Sequence, residues 1–168
     1  MIDKSKGDAM KITIISVGDI KEKYLREAMK EYEKRIRPYA EIEIIEIPES
    51  RLPNNPSAAQ ISQAMEEEGD KILAKINPRA YIFSLVIEGK QLSSEALANS
   101  VQHLTTEGYS ELVFIIGGSD GLSQAVKKKA HHKLSFSKMT FPHQLMRVIL
   151  VEQIYRALKI IRNEPYHK

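Results

Sequence analysis

Cysteine is absent from the chain. That one absence removes disulfides, thiolate metal sites and cysteine nucleophiles together. It also fits a reducing compartment, so a cytoplasmic protein is expected. Long apolar runs are missing as well: none approaches the roughly 20 residues that a membrane-spanning helix needs, and no membrane partner is expected. No metal motif is present. His131 and His132 are adjacent and point in different directions, which makes a poor chelate.

Acidic residues are scarce at one end. Residues 127–168 hold ten Lys and Arg against two acids, Glu152 and Glu164, a balance of +8. The residues before them hold fifteen bases and twenty acids, a balance of −5. The overall charge of +3 conceals this separation. Four of the five histidines (His131, His132, His143 and His167) fall in the basic segment. Such a concentration of cations points to a polyanionic partner, nucleic acid before others. A solvated basic helix has the same composition, so charge alone leaves both readings open.

The chain alternates short β-branched runs with longer amphipathic stretches. Residues 1–9 are polar and precede a second methionine, Met10, that opens directly onto a strand pattern; they are read as an expression leader, and residues 10–168 as one domain. Strands are predicted at Lys11–Val17, Glu41–Ile47, Ala80–Leu85 and Glu111–Ile116, with a fifth possible at Lys133–Phe136. Helices are predicted at 20–37, from the cap Ser57 to about Ile76, from Ser93 or Ser94 to about Glu107, at Leu122–Ala130 and at Pro142–Arg162. Glu41–Ile47 alternates charge with isoleucine and is expected at an edge. This order predicts an α/β fold, a mainly parallel sheet with helices on both faces. Ligands then belong beyond the carboxyl ends of the strands, at the loops after Leu85, Ile116 and Phe136.

Three segments carry possible chemistry. Ile116-Gly117-Gly118-Ser119-Asp120-Gly121 follows a buried strand, where glycines let a ligand approach the backbone; taken alone it is also an ordinary tight turn. Ser135-Phe136-Ser137-Lys138-Met139-Thr140-Phe141-Pro142-His143 alternates hydroxyls with apolar side chains, as a loop that holds an adenine edge between covered faces does. A Ser/Thr-rich loop capping the last helix reads the same way. The last helix and tail mix an apolar stripe with Arg147, the pair Glu152 and Arg156, and the terminal Tyr166-His167-Lys168. An aromatic, a histidine and a lysine at a terminus suit stacking on a base and touching phosphate, although termini commonly fray.

The order of these segments is more specific than any one of them. Leu85-x-x-x-Gly89-Lys90, then Ile116-Gly117-Gly118-x-x-Gly121, then Ser135-x-Ser137-x-x-Thr140-x-x-His143, then Arg147, then Glu152-Gln153-x-Tyr155-Arg156-Ala157, then Pro165-Tyr166-His167-Lys168 resembles the large-subunit ribosomal RNA methyltransferase H family of the SPOUT class. The resemblance runs from Met10 to Lys168. It implies a trefoil-knotted α/β fold, a homodimer, S-adenosylmethionine as methyl donor, and methylation at N3 of a pseudouridine in 23S rRNA of the assembled ribosome. By matching position, Leu85, Gly117 and the run Phe136, Ser137, Lys138, Met139, Thr140 and Phe141 would line the donor pocket. Tyr166 and His167 would reach the other protomer's site. On chemical grounds His167 is the candidate base, with a purely RNA-binding role left open, and Arg147 and Arg156 could stabilise the acceptor anion or hold phosphate. Arg147 and Lys168 are read as RNA-binding. Many relatives carry Asp directly after the strand-three leucine, where this chain has Val86. Two rival readings are a non-catalytic RNA-binding or ribosome-assembly module and a nucleotide-binding enzyme of ordinary doubly wound type. The glycines after the fourth strand, and none after the first in the dinucleotide pattern, weigh against the last.

Overall fold

A computed structural model describes residues 10–168, so the expected leader lies outside the described residues. Five strands form one sheet: β1 (Lys11–Val17), β2 (Glu41–Ile47), β3 (Tyr81–Gln91), β4 (Glu111–Ile116) and β5 (His132–Ser135). Their order across the sheet is β2-β1-β4-β3-β5, and every neighbouring pair is parallel. Parallel pairing requires a crossover between strands. The helices supply it: α1 (Lys23–Ile36), α2 (Ala58–Ala74), α3 (Ser94–Thr106) and α4 (Gln124–Lys129), with α5 (His143–Ile161) last.

Side-chain alternation along the strands sorts the core into two layers. Ile12, Ile14, Phe83, Leu112, Phe114 and Ile116 face α1, α3 and α5. Ile15, Val17, Ile82, Val113 and Ile115 face α2 and α4, through Ile72 and Val126. β4 is buried along its whole length, as a central parallel strand must be. β2 lies at an edge with its glutamates outward, as its alternation predicts.

Helix starts follow their caps. Ser57 accepts from the backbone N–H of Gln60, and the Gln60 side chain accepts from the Ser57 N–H, a complete capping box. Ser93 and Ser123 cap α3 and α4 in the same way with one bond each. α1 begins at Lys23, later than the apolar spacing predicts.

One element differs more. β3 does not end at Leu85: it continues to Gln91, with a break in its pairing to β5 between Leu85 and Lys90. The expected loop after Leu85 is therefore a bulge within an extended strand. Gly89 explains where the strand rejoins. A Cβ there would lie 2.6 Å from the Lys133 carbonyl oxygen, so only glycine lets β3 press back onto β5.

Candidate functional site: an open cleft and a paired tail

The carboxyl ends of β3, β4 and β5 enclose a cleft of about 750 Å³, a size in the range of small-molecule sites. One wall is the β3 bulge, Leu85 to Glu88. The floor is the turn after β4, Ile116 to Leu122. The far wall is the β5–α5 loop and the start of α5, including Phe136, Phe141, His143 and Met146.

Glycine makes the floor. A Cβ on Gly117 would lie 2.7 Å from the Gly121 carbonyl carbon, so no other residue fits that turn. Gly121 adopts φ +88°, and its N–H donates to the Gly118 carbonyl at 3.1 Å. The five residues from Gly117 to Gly121 also spell Gly-x-Ser-x-Gly, the spacing of a hydrolase nucleophile elbow. That arrangement needs strand, sharp turn and helix in immediate succession. Here α4 starts only at Gln124, and among the described residues Ser119 makes no hydrogen bond to a histidine.

The β5–α5 loop holds its own shape. The Ser135 hydroxyl donates to the Ser137 carbonyl at 3.1 Å, and the Met139 N–H donates to the Ser137 hydroxyl at 3.0 Å. Ser137 is thus spent partly on the loop's backbone rather than left free for a ligand. Of the eight residues expected at a donor pocket, Leu85, Gly117, Phe136, Ser137, Met139, Thr140 and Phe141 line the cleft. Lys138 does not; it is exposed on the outside of the loop.

Charge in the cleft is mostly negative. Glu88 on the bulge and Asp120 on the floor are its carboxylates. Lys127 of α4 reaches Glu88 at 2.9 Å, and this bond holds the Glu88 carboxyl below the usual carboxylate range. Val86 lines the same wall, and the nearest carboxylate after it in sequence is Glu88.

Arg147 corrects an expectation. Its side chain is 1% exposed, and so is closed to RNA. The guanidinium donates to the carbonyls of Val17 at 2.6 Å and Gly18 at 3.0 Å, and pairs with Glu46 at 3.3 Å. Burial lowers its pKa, with Glu46 opposing; an arginine still keeps its proton. It ties α5 to the carboxyl ends of β1 and β2. The signal was in the sequence: Arg147, Leu150, Val151, Ile154 and Leu158 share one helical face, and that face is the buried one.

The tail forms a second cluster, at the other end of α5. Asn163 takes φ +52°, and the Glu164 N–H donates back to the Lys159 carbonyl at 3.0 Å. This left-handed cap reverses the chain, and Glu164 then pairs with Lys159 at 2.6 Å while Tyr39 donates to the same carboxylate. The bond raises Lys159 and lowers Glu164. Tyr166 lies edge-on to Tyr155 and beneath the Arg156 guanidinium, 4.7 Å from its ring centre. Its hydroxyl donates to Glu152 at 3.1 Å. Burial, then that bond, pushes the phenol up to about 12. Arg156 also grips Glu152, at 2.6 Å and 3.0 Å.

His167 sits between Arg156 and Glu95. Arginine only donates, so Nδ1 accepts from Arg156 at 3.2 Å. The proton then belongs on Nε2, which donates to Glu95 at 2.7 Å. Tyr166, His167 and Arg156 thus lie together, with Glu152, whose spacing of four from Arg156 marks the pair in the sequence, and with Glu95, a partner that sequence reading did not supply. Lys168 is exposed at the end.

Among the described residues, no helix is long and apolar enough to cross a membrane, and no group of three or more His, Asp and Glu side chains is placed to hold a metal ion. A family model described as predicted SPOUT methyltransferase matches residues 10–167.

Proposed function

The chain belongs to the SPOUT methyltransferase family, and from that premise we propose that it methylates N3 of a pseudouridine in 23S rRNA of the assembled ribosome. S-adenosylmethionine is the methyl donor, and the enzyme works in the cytoplasm as a homodimer. The same reading includes the C-terminal knot, with α5 threaded through a loop of the chain.

The cleft suits the donor. Apolar walls at Leu85, Leu134 and Phe136 fit an adenine face, while the glycines of the turn, Gly117, Gly118 and Gly121, present backbone rather than side chains. Glu88 and Asp120 face a molecule that carries a sulfonium and an ammonium. When bound, S-adenosylmethionine supplies an activated methyl group; the protein's task is to orient partners and manage charge.

The observation that carries the dimer is that the tail cluster lies outside the cleft of its own chain. Met146 is the last α5 residue on the cleft wall, and Arg156 follows it by ten residues, about 15 Å of helix. Tyr166 and His167 dock on Glu152, Arg156 and Glu95, none of which lines the cleft. A second copy, packed across α5, would bring one chain's tail to the other's donor. Exposed Leu145 and half-buried Val148 and Ile149 on α5 offer apolar area for that packing.

On the acceptor side, Arg156 offers positive charge to a pyrimidine that loses its N3 proton. His167 contacts the RNA or takes that proton. The second role requires its Nδ1 to leave Arg156 first, since that lone pair is engaged in the docked tail. Methylation by His167→Ala across pH separates the roles. Loss of the acid limb of the rate profile supports the base; unchanged turnover with weakened RNA binding removes it. The function itself is tested by mass spectrometry of ribosomal RNA treated with the protein and donor: one N3-methylpseudouridine per 23S rRNA is expected.

A further inference from the structure

The cations of the basic segment are not equivalent. Four are engaged within the chain: Lys127 by Glu88, Arg147 by Glu46, Arg156 by Glu152 and Lys159 by Glu164. Four others, Lys128, Lys129, Lys133 and Lys138, are exposed, and among the described residues none has a carboxylate within 4.0 Å. These four are neighbours along a short stretch. Lys128 and Lys129 end α4, Lys133 lies on β5, and Lys138 stands on the outside of the β5–α5 loop.

The topology turns that stretch into a ridge. β5 is an edge strand, so its outer flank is open. Lys90, also exposed, lies across from Leu134 on β3 and adds a fifth charge beside Lys133. The ridge borders the cleft, because Lys127 on α4 and Ser137 and Met139 on the loop line it. Met139 is 74% exposed and Ile87 55%, apolar surface between the cationic positions.

We propose that this lysine ridge, and not the arginines of α5, is the surface on which the protein docks the RNA backbone. The inference rests on the reading of an RNA substrate and says where that RNA lies. An unpaired lysine meets a phosphate by releasing only water and counterions. Arg156 and Lys159 would first have to give up Glu152 and Glu164, which offsets most of the gain. Lysine suits the task, since a flexible point charge follows a backbone without demanding one geometry. Met139 and Ile87 lie where unstacked bases would come to rest.

The test uses the full-length protein and isolated large ribosomal subunits, with binding measured against salt. In K128Q/K129Q/K133Q/K138Q, the slope of log affinity against log salt should be shallower by about 3, from about 0.7–0.9 per phosphate contact. Affinity near 50 mM salt should fall by about 100-fold, while S-adenosylmethionine binding and the melting temperature stay as in the parent. R162Q/K168Q, which removes the exposed cations of the tail end, should change affinity by less than about threefold. An unchanged slope in the ridge variant overturns the proposal, as does a larger loss in the tail variant, or a parent protein that binds no ribosomal RNA. A parent that binds RNA through the ridge but takes up no S-adenosylmethionine sinks the methyltransferase reading and leaves the ridge standing.

Discussion

At the start of α5, the surface for a ligand is made of backbone turns and apolar walls, with its volume left open. At the end of α5, the functional side chains are already matched to one another, acid to base, within a single chain. The first region depends on residues that cannot be changed without collision, such as Gly117 and Gly89. The second depends on ion pairs and hydrogen bonds that can be exchanged for others when a partner arrives. A preformed cleft suits a small cofactor of fixed shape. A self-neutralised tail holds little free charge for a polyanion and must open its ion pairs before it can meet one.

The sharpest way to break this comparison is Gly117→Ala. The added Cβ would meet the Gly121 backbone at 2.7 Å, so the floor must move. Overpacking of this kind costs about 1–3 kcal/mol. S-adenosylmethionine affinity should fall by more than about 100-fold by calorimetry, equivalent to about 2.7 kcal/mol. Binding within threefold of the parent would show that the donor does not use this floor.

Arg147→Met comes next. It removes a buried cation that joins α5 to the Val17 and Gly18 carbonyls. Unfolding free energy should drop by about 2–3 kcal/mol, because bonds from a charged donor are lost while methionine restores part of the packing. RNA affinity of the folded protein should not change. A variant that melts like the parent yet loses RNA would return Arg147 to the binding surface.

A smaller change is expected from Glu152→Gln. The carboxylate holds Arg156, Tyr166 and Gln153 together. Loosening it should lower methylation about tenfold at saturating donor, with donor affinity unchanged. Equal losses in both would mean that the tail and the cleft are one site within a single chain.

The smallest effect is a titration. Tyr166 is pushed up to about 12, above the ordinary phenol value near 10. A raised pKa stabilises the docked tail fully below pH 10, and that contribution is lost as pH rises through 12. Glu164 is shifted the other way, by Lys159 and then Tyr39. Its contribution is present above the ordinary carboxylate range and is lost as pH falls through the lowered value. Ultraviolet titration of the parent against Tyr166→Phe should show one late-ionising tyrosine that disappears in the variant. A difference spectrum that titrates near 10 would mean that the tail is not docked as described.

Much of the fold was legible because burial writes it into the residues. β1, β2 and β4 have the bounds that their β-branched and alternating runs predict, and the serine caps mark α2 and α3. β3 was cut short because its outer half is exposed and mixes Ile87, Glu88 and Gly89, a pattern that says bulge only once β5 is beside it. In the site, the glycine turn and the hydroxyl-rich loop stood out by composition. Glu152 and Arg156 stood out by their spacing of four. Glu95 and Tyr39 could not, since each meets the tail only through the packing of α3 and α1 against α5. Net charge misled most: a segment of +8 reads as one patch until the acids supplied by other elements are set beside it.

The account rests on the cleft taking up S-adenosylmethionine. Calorimetric titration of the intact protein with S-adenosylmethionine, repeated on Gly117→Ala, tests this most directly. The account predicts saturable binding by the parent and its loss in the variant. A parent that releases no heat and protects no cleft residue at millimolar donor would contradict it.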